Sequence, residues 1–212
     1  MKYEWRKQEK AMYLPKEPTL VEVPRYRFLT LNGQGNPNRP EFSEQISALY
    51  MVAYALRMGL KKGAFDNEPF EYTVYPLEGV WTLPAKPSGT IDKNDLIYKI
   101  MIRQPEQVTK ELAIEQKNQV IKKKDNRFLE QVQFEEYQEG LVVQACHIGP
   151  FDTEAETFAK MEHYCIEHQL KVIPTMGNYQ HREIYLSDPR KSTPEKAKTV
   201  LRWRVETQDK NN

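Results

Sequence analysis

The chain reads as an α+β protein. It is expected to be a pseudo-twofold duplication of one strand–helix–strand–strand module, with an antiparallel sheet, helices on one face and a ligand cleft on the other. Three observations predict this. Apolar residues recur at helical spacing in the middle of each half, alternating segments flank both helices, and Glu71-Tyr72-Thr73-Val74 rhymes with Glu183-Ile184-Tyr185-Leu186 half a chain later. The second pair of segments puts acid on acid and apolar on apolar.

Residues 1–18 are charged and aromatic, with Pro15 and Pro18 near their end, and read as a lead-in arm. The first module is set at 19–104. Residues 21–35 alternate as a strand, which Gly33, Gly35 and Pro37 stop. A helix opens at Pro40 or Ser43 and runs to about Leu60, with Phe42, Ile46, Leu49, Ala53 and Leu56 on one face. Residues 71–77 are expected to be a strand. The Pro- and Gly-rich stretch 79–94 is a loop and candidate lid, and residues 95–103 form a further strand.

Pro105 at a first-turn position begins a connector helix, 105–126, which carries Val108, Leu112 and Ile121. The second module, 127–206, repeats the order. Strands are expected at 128–134 and 140–148. Asp152 or Thr153 caps a helix to about Gln169 with Ala155, Phe158, Met161 and Cys165 on its face. Strands follow at 181–187 and 199–205. With period-two alternation, 184 and 186 point to the helix-covered side, and 183 and 185 to the concave side.

Composition narrows the function. Lys and Arg total 31 against 30 acids, a net charge of +1, where a nucleic-acid binder usually carries a basic surplus. The two cysteines, Cys146 and Cys165, have neither metal spacing nor a disulfide framework, and suit buried thiols of a reducing compartment. No segment reaches the apolar length of a membrane span, and the N-terminus lacks an apolar signal region. The expected protein is cytoplasmic, a monomer or weak homodimer, without metal or cofactor.

Several runs resemble the GyrI-like small-molecule-binding family. They are Leu31-Asn32-Gly33-Gln34-Gly35-Asn36-Pro37, Pro76-Leu77-Glu78-Gly79 with Trp81, Met101 to Pro105, His147-Ile148-Gly149-Pro150, His181 to Arg190, and Lys198 to Arg202. The resemblance spans nearly the whole chain. It implies tandem modules about a cleft, as in the ligand-sensing part of multidrug-responsive regulators, where an acid in an aromatic pocket receives cationic or planar drugs. The short stretch before the first module is too small for a helix-turn-helix, so the chain resembles the stand-alone form. Some stand-alone members are described as hydrolases of cyclopropanoid compounds.

On that reading Glu183 is the base or water-positioning group and Tyr185, two residues on along the same strand face, is a hydrogen-bond donor. Trp81 stacks on a planar substrate, Tyr98 contributes a second ring, and Tyr137 and His147 stand at the cleft rim. The ligand is a hydrophobic or cationic planar small molecule. Read without the family, Trp81 and Tyr185 can be packing residues, Glu183 can pair across the strands with Arg202 or Arg204, and His147 and His181 are packing or rim histidines. Binding without turnover is the alternative to hydrolysis.

Overall fold

A computed structural model describes residues 2–64, 68–84, 92–187 and 192–208. Two single-turn helices, α1 (Trp5–Gln8) and α2 (Lys10–Tyr13), precede β1 (Thr19–Gln34), α3 (Pro40–Lys61), β2 (Leu77–Thr82), β3 (Ile97–Gln104) and α4 (Lys110–Ile121). The second half holds β4 (Gln133–Ile148), α5 (Glu154–Glu167), β5 (Leu170–Ile173), β6 (His181–Tyr185) and β7 (Lys198–Thr207). The sheet is antiparallel in the order β4-β1-β3-β2-β6-β7-β5, and a further β4–β7 pairing closes it into a barrel-like form. Read around the closure, β1-β3-β2 in one half mirrors β4-β7-β6 in the other, with the β2–β6 pair as one seam and β1–β4 as the second.

Helix α3 forms because its apolar period matches 3.6 residues per turn; Leu49, Val52, Ala53, Leu56 and Leu60 are completely buried. Burying a Leu or Val side chain of this kind contributes ~1.5–3 kcal/mol. Helix α5 does the same with Met161 and Cys165 against Val143, Ala145 and Leu201. Both cysteines are free.

Three elements differ from the sequence reading. Of the strand expected at 71–77, only Leu77 belongs to the strand that mates with β6. Glu71 lies 2.9 Å from Lys61 Nζ, and Tyr72 makes only an isolated bridge to Tyr3. The strand there is Leu77–Thr82, most of which (79–82) was expected to be loop, with Gly79 directly opposite Glu183. Residues 85–91 of the proposed lid lie outside the described residues. Second, the two strands expected at 128–134 and 140–148 are replaced by a 3₁₀ turn and one 16-residue strand, β4. Gly140 does not end it; at φ 73 it lets the strand turn its faces over without breaking the ladder. Third, β5 pairs with β7 where no strand was expected.

The faces of β6 are also exchanged relative to expectation. His181, Glu183 and Tyr185 point to the side carrying α3 and α5. Arg182 points into the barrel, whose mouth α2 covers with Ala11, Met12 and Tyr13. Arg182 donates from Nη1 to Glu78 Oε2 (2.7 Å) and from Nε to Glu139 Oε1 (2.9 Å). Arg202 reaches Glu139 Oε2 at 3.1 Å and Gln144 Oε1 at 2.7 Å. Burial opposes the charge on Glu139, but Arg182 and Arg202 together outweigh it and hold the carboxyl below the usual range. This inner network locks β6 to β2, β4 and β7, and so fixes where Glu183 emerges on the other face.

Candidate functional site

Glu183 stands on β6 between Gly79 of β2 and Leu201 of β7 and is 8% exposed. Both of its oxygens are engaged. Oε1 accepts from His181 Nε2 at 2.8 Å, and Oε2 accepts from the Tyr185 hydroxyl at 2.8 Å. Tyr185 in turn accepts from Trp81 Nε1 at 3.0 Å. The result is a relay, Trp81 to Tyr185 to Glu183, closed on the far side by His181. Burial, then the charge of Glu183, pushes the Tyr185 hydroxyl well above its ordinary pKa, so it stays a donor through the physiological range.

The relay exists because of what is missing at residue 79. A Cβ on Gly79 would lie 2.8 Å from Trp81 Nε1 and 3.1 Å from the Tyr185 hydroxyl. Only glycine leaves room for the two side chains to meet over the seam.

Two aromatic walls flank the carboxylate. On the α3 side Trp81 packs 5.1 Å from Tyr98 and 6.0 Å from Phe42 (centroid distances). On the α5 side Phe158 meets His181 edge-on at 5.2 Å and stacks on Trp203 at 5.1 Å. Phe151, 59% exposed, stands edge-on to Tyr185 at 6.1 Å and is the open ring of the site.

The structure therefore brings together Glu183, Tyr185 and Trp81. Tyr98 stands one ring further back, buried, with its hydroxyl donating to Gln45 Oε1 at 2.8 Å. Two expected rim residues are elsewhere. Tyr137 faces the barrel interior, where its hydroxyl accepts from the Met176 amide at 2.9 Å and lies 3.2 Å from Thr175 Oγ1. The Gly140 turn separates its face from that of the second half of β4. His147 is buried at the foot of α5, with Nδ1 2.9 Å from Thr157 Oγ1 and Nε2 3.1 Å from the Pro150 carbonyl. Both ring nitrogens are committed to holding the helix entry. The cross-strand pairing of Glu183 with Arg202 or Arg204 does not form, because Leu201 is its register partner and Arg202 points inward.

The sequence reading passed over three residues. His181 was set aside as a lone histidine, yet its spacing of two from Glu183 is the signal, since same-face strand neighbours can bond. Phe151, between the Gly149-Pro150 break and the helix cap, carries no signal of its own in the sequence. Glu154 heads α5 and is 8% exposed, and its Oε1 has no hydrogen-bond partner. Burial first, then the charge of Glu183 and of Asp152, pushes its pKa up to about 9. No group of three or more side chains able to hold a metal occurs among the described residues, and no helix there is long and apolar enough to cross a membrane.

The model of the GyrI-like small molecule binding domain matches residues 16–206. The chain belongs to the GyrI-like family. Among solved structures it is similar to an uncharacterized conserved protein from Listeria innocua, at 35% identity, covering 96% of this chain and 100% of that one with a TM-score of 0.88. A protein from the same organism described as a hydrolase is 33% identical, with 96% and 100% coverage and a TM-score of 0.85. The C-terminal domain of EcmrR shares the fold alone, at 12% identity, 93% and 99% coverage and a TM-score of 0.50. No curated protein matches the chain. As a GyrI-like domain, the molecule carries a small-molecule-binding fold with its candidate site on the β2–β6 seam.

Proposed function

We propose that this GyrI-like protein binds planar, hydrophobic small molecules beside Glu183 and hydrolyses cyclopropanoid compounds by adding water to the strained ring. The observation that carries the reading is a buried carboxylate whose two oxygens are held by donors from its own strand and whose surroundings are aromatic. A carboxylate fixed at both oxygens can orient a water without reorganising, and general base assistance of this sort is worth ~10²- to 10⁴-fold. The walls exclude bulk water and offer flat surfaces to a flat guest. The hydrolase description of a Listeria relative supports the class of reaction.

The chemistry needs no cofactor. Tyr185 holds the carboxylate in place, Trp81 holds Tyr185, and His181 fixes the opposite oxygen. The alternative is a binding module that holds such molecules intact, favoured by the small-molecule-binding description of the family and by the fold shared with EcmrR. A spirocyclopropyl cyclohexadienone, incubated at large excess and followed by loss of its absorbance, separates the two. Multiple turnovers that vanish in Glu183→Gln, with binding kept, support hydrolysis. One equivalent bound and recovered unchanged rejects it in favour of binding.

A further inference from the structure

We propose that Glu154 is the proton donor of this cleft, set against Glu183 as the proton acceptor. The proposal rests on the hydrolytic reading above and adds a second working carboxyl to it.

An acid in the first turn of a helix is ordinarily accounted for by its anion's attraction to the helix N-terminus. Glu154 does not fit that account. It is 8% exposed, its Oε1 has no partner, and burial with the neighbouring Glu183 and Asp152 keeps its proton on up to about pH 9. A neutral buried carboxyl is an O–H donor, and leaving it without an acceptor costs free energy. Both oxygens of Glu183 are engaged elsewhere, by His181 and Tyr185. The fitting acceptor is an atom of the guest. The titratable and charged groups about this helix end are Glu183, with His181 bonded to it, and Tyr185 from β6, His147 from β4, Asp152 from its own turn, and Lys93, 3.9 Å from Asp152. The entry is braced: Thr153 Oγ1 donates to the Pro150 carbonyl at 2.8 Å and lies 3.2 Å from His147 Nε2. Helix α5 thus holds Glu154 on the same face as Glu183, with the exposed Phe151 three residues before it.

Two carboxyls of unlike protonation suit the addition of water to a cyclopropane conjugated to a dienone. The water oxygen bonds to the ring carbon as the strained carbon–carbon bond breaks. The electron pair of that bond passes through the conjugated ring to the carbonyl oxygen. Glu183 takes the proton lost by the water, and Glu154 gives its proton to the oxygen where the charge gathers. The product is a ring-opened alcohol bearing a phenol, and exchange with solvent restores the two carboxyls. The site would therefore select guests with an acceptor oxygen conjugated to the reacting ring.

The test uses two readouts. Carbon-13 NMR of carboxyl-labelled Glu, with the Glu154 signal assigned by its loss in Glu154→Gln, reports protonation with no substrate present. A protonated signal at pH 7 that titrates in the alkaline range is expected, and an ionised one overturns the proposal. With the spirocyclopropyl cyclohexadienone, Glu154→Gln is expected to lower kcat ~10²-fold or more with KM within about threefold, and to lose the alkaline limb of the wild-type pH profile. An unchanged kcat overturns the proposal. If wild-type protein turns nothing over, hydrolysis fails on its own account. Binding of a planar ketone then decides the donor: at least about fivefold weaker in Glu154→Ala supports it, and equal affinity rejects it.

Discussion

Gly79→Ala isolates the geometry on which the candidate site depends. Gly79 carries no left-handed backbone conformation, so alanine meets no φ penalty. The added Cβ lies 2.8 Å from Trp81 Nε1, 3.2 Å from Trp81 Cε2 and 3.1 Å from the Tyr185 hydroxyl. Trp81 is 6% exposed, with Phe42 and Tyr98 packed against it, and cannot retreat without disturbing that wall. Overpacking of this kind costs ~1–3 kcal/mol. Separating Trp81 from Tyr185 removes a hydrogen bond worth ~0.5–1.5 kcal/mol. Gly-to-Ala stiffening of the unfolded chain returns ~0.4–1 kcal/mol. The net is about 2 kcal/mol of destabilisation. At a urea slope of ~2–3 kcal/mol/M this moves the unfolding midpoint down by about 0.7–1 M. Tryptophan emission should also change, since Trp81 is one of three tryptophans. Adding Tyr185→Phe removes one of the contacted atoms and should recover part of the loss, a positive coupling in a double-mutant cycle. A variant as stable as wild type, with unaltered emission, would refute the claim that a bare backbone at 79 makes the relay possible.

Other outcomes follow from neighbouring groups. Arg182→Met strands Glu78 in the barrel, leaves Glu139 with Arg202 as its remaining cation, and should cost ~3–5 kcal/mol by denaturant titration; a cost under about 1 kcal/mol would show that the inner network does not fix β6. Folding raises the Glu154 pKa from 4.5 to about 9, so its stabilising contribution is complete below 4.5 and is lost as pH rises through 9. Stability of wild type relative to Glu154→Gln should therefore fall by up to ~1.4 kcal/mol per pH unit across that window, measured by urea midpoints from pH 5 to 9; parallel curves would contradict the shift. Tyr185→Phe keeps the ring and deletes the donor to Glu183, and should lower turnover of the cyclopropyl dienone ~10-fold or more while leaving the fold cooperative. Equal rates would mean that Glu183 needs no such brace.

The helices and most strands were legible because burial on one face writes a period into the sequence. Leu49, Val52, Ala53 and Leu56 announce α3 without ambiguity. The seam strand was not legible, for physical reasons. Glu78 points into the core because Arg182 meets it there, so an apolar position is filled by a charge. Gly79 looks like a turn residue but is a spacing device. Meanwhile Tyr72 and Val74 alternate with Glu71 and Thr73 like strand residues, although Tyr72 and Tyr75 pack as irregular chain with Trp5 and Tyr13. The reversal of faces on β6 has the same root. Arg182 and Glu183 are both polar and both buried, and the apolar Ile184, which alternation sends to the helix side, shares the inner face of Arg182. Glu183 and Tyr185 remain the candidates despite the error about direction, because the two lie on one face and bond to each other. Tyr137 was misplaced because a single glycine at 140 turns the strand between it and the helix-covered stretch.

The duplication itself explains why one site, rather than two, lies on the seam. Gly79 and Glu183 stand opposite each other where the two halves join, so any side chain at one crowds the other. A second glutamate at 79 would place like charges directly across the ladder, which is destabilising, and would occupy the space where Trp81 meets Tyr185. One half has given up its side chain so that the other half's carboxylate can be braced at both oxygens. The inner face resolves the same symmetry in the opposite way. There Glu78 and Arg182, the residues next along each strand, carry complementary charges and bind one another at 2.7 Å. A symmetric scaffold with an asymmetric seam thus uses one layer of charge to hold the halves together and braces a single carboxylate in the other. Exchanging the two layers' roles by substitution at 79 or 182 should damage both, since each fixes the strand that presents the other.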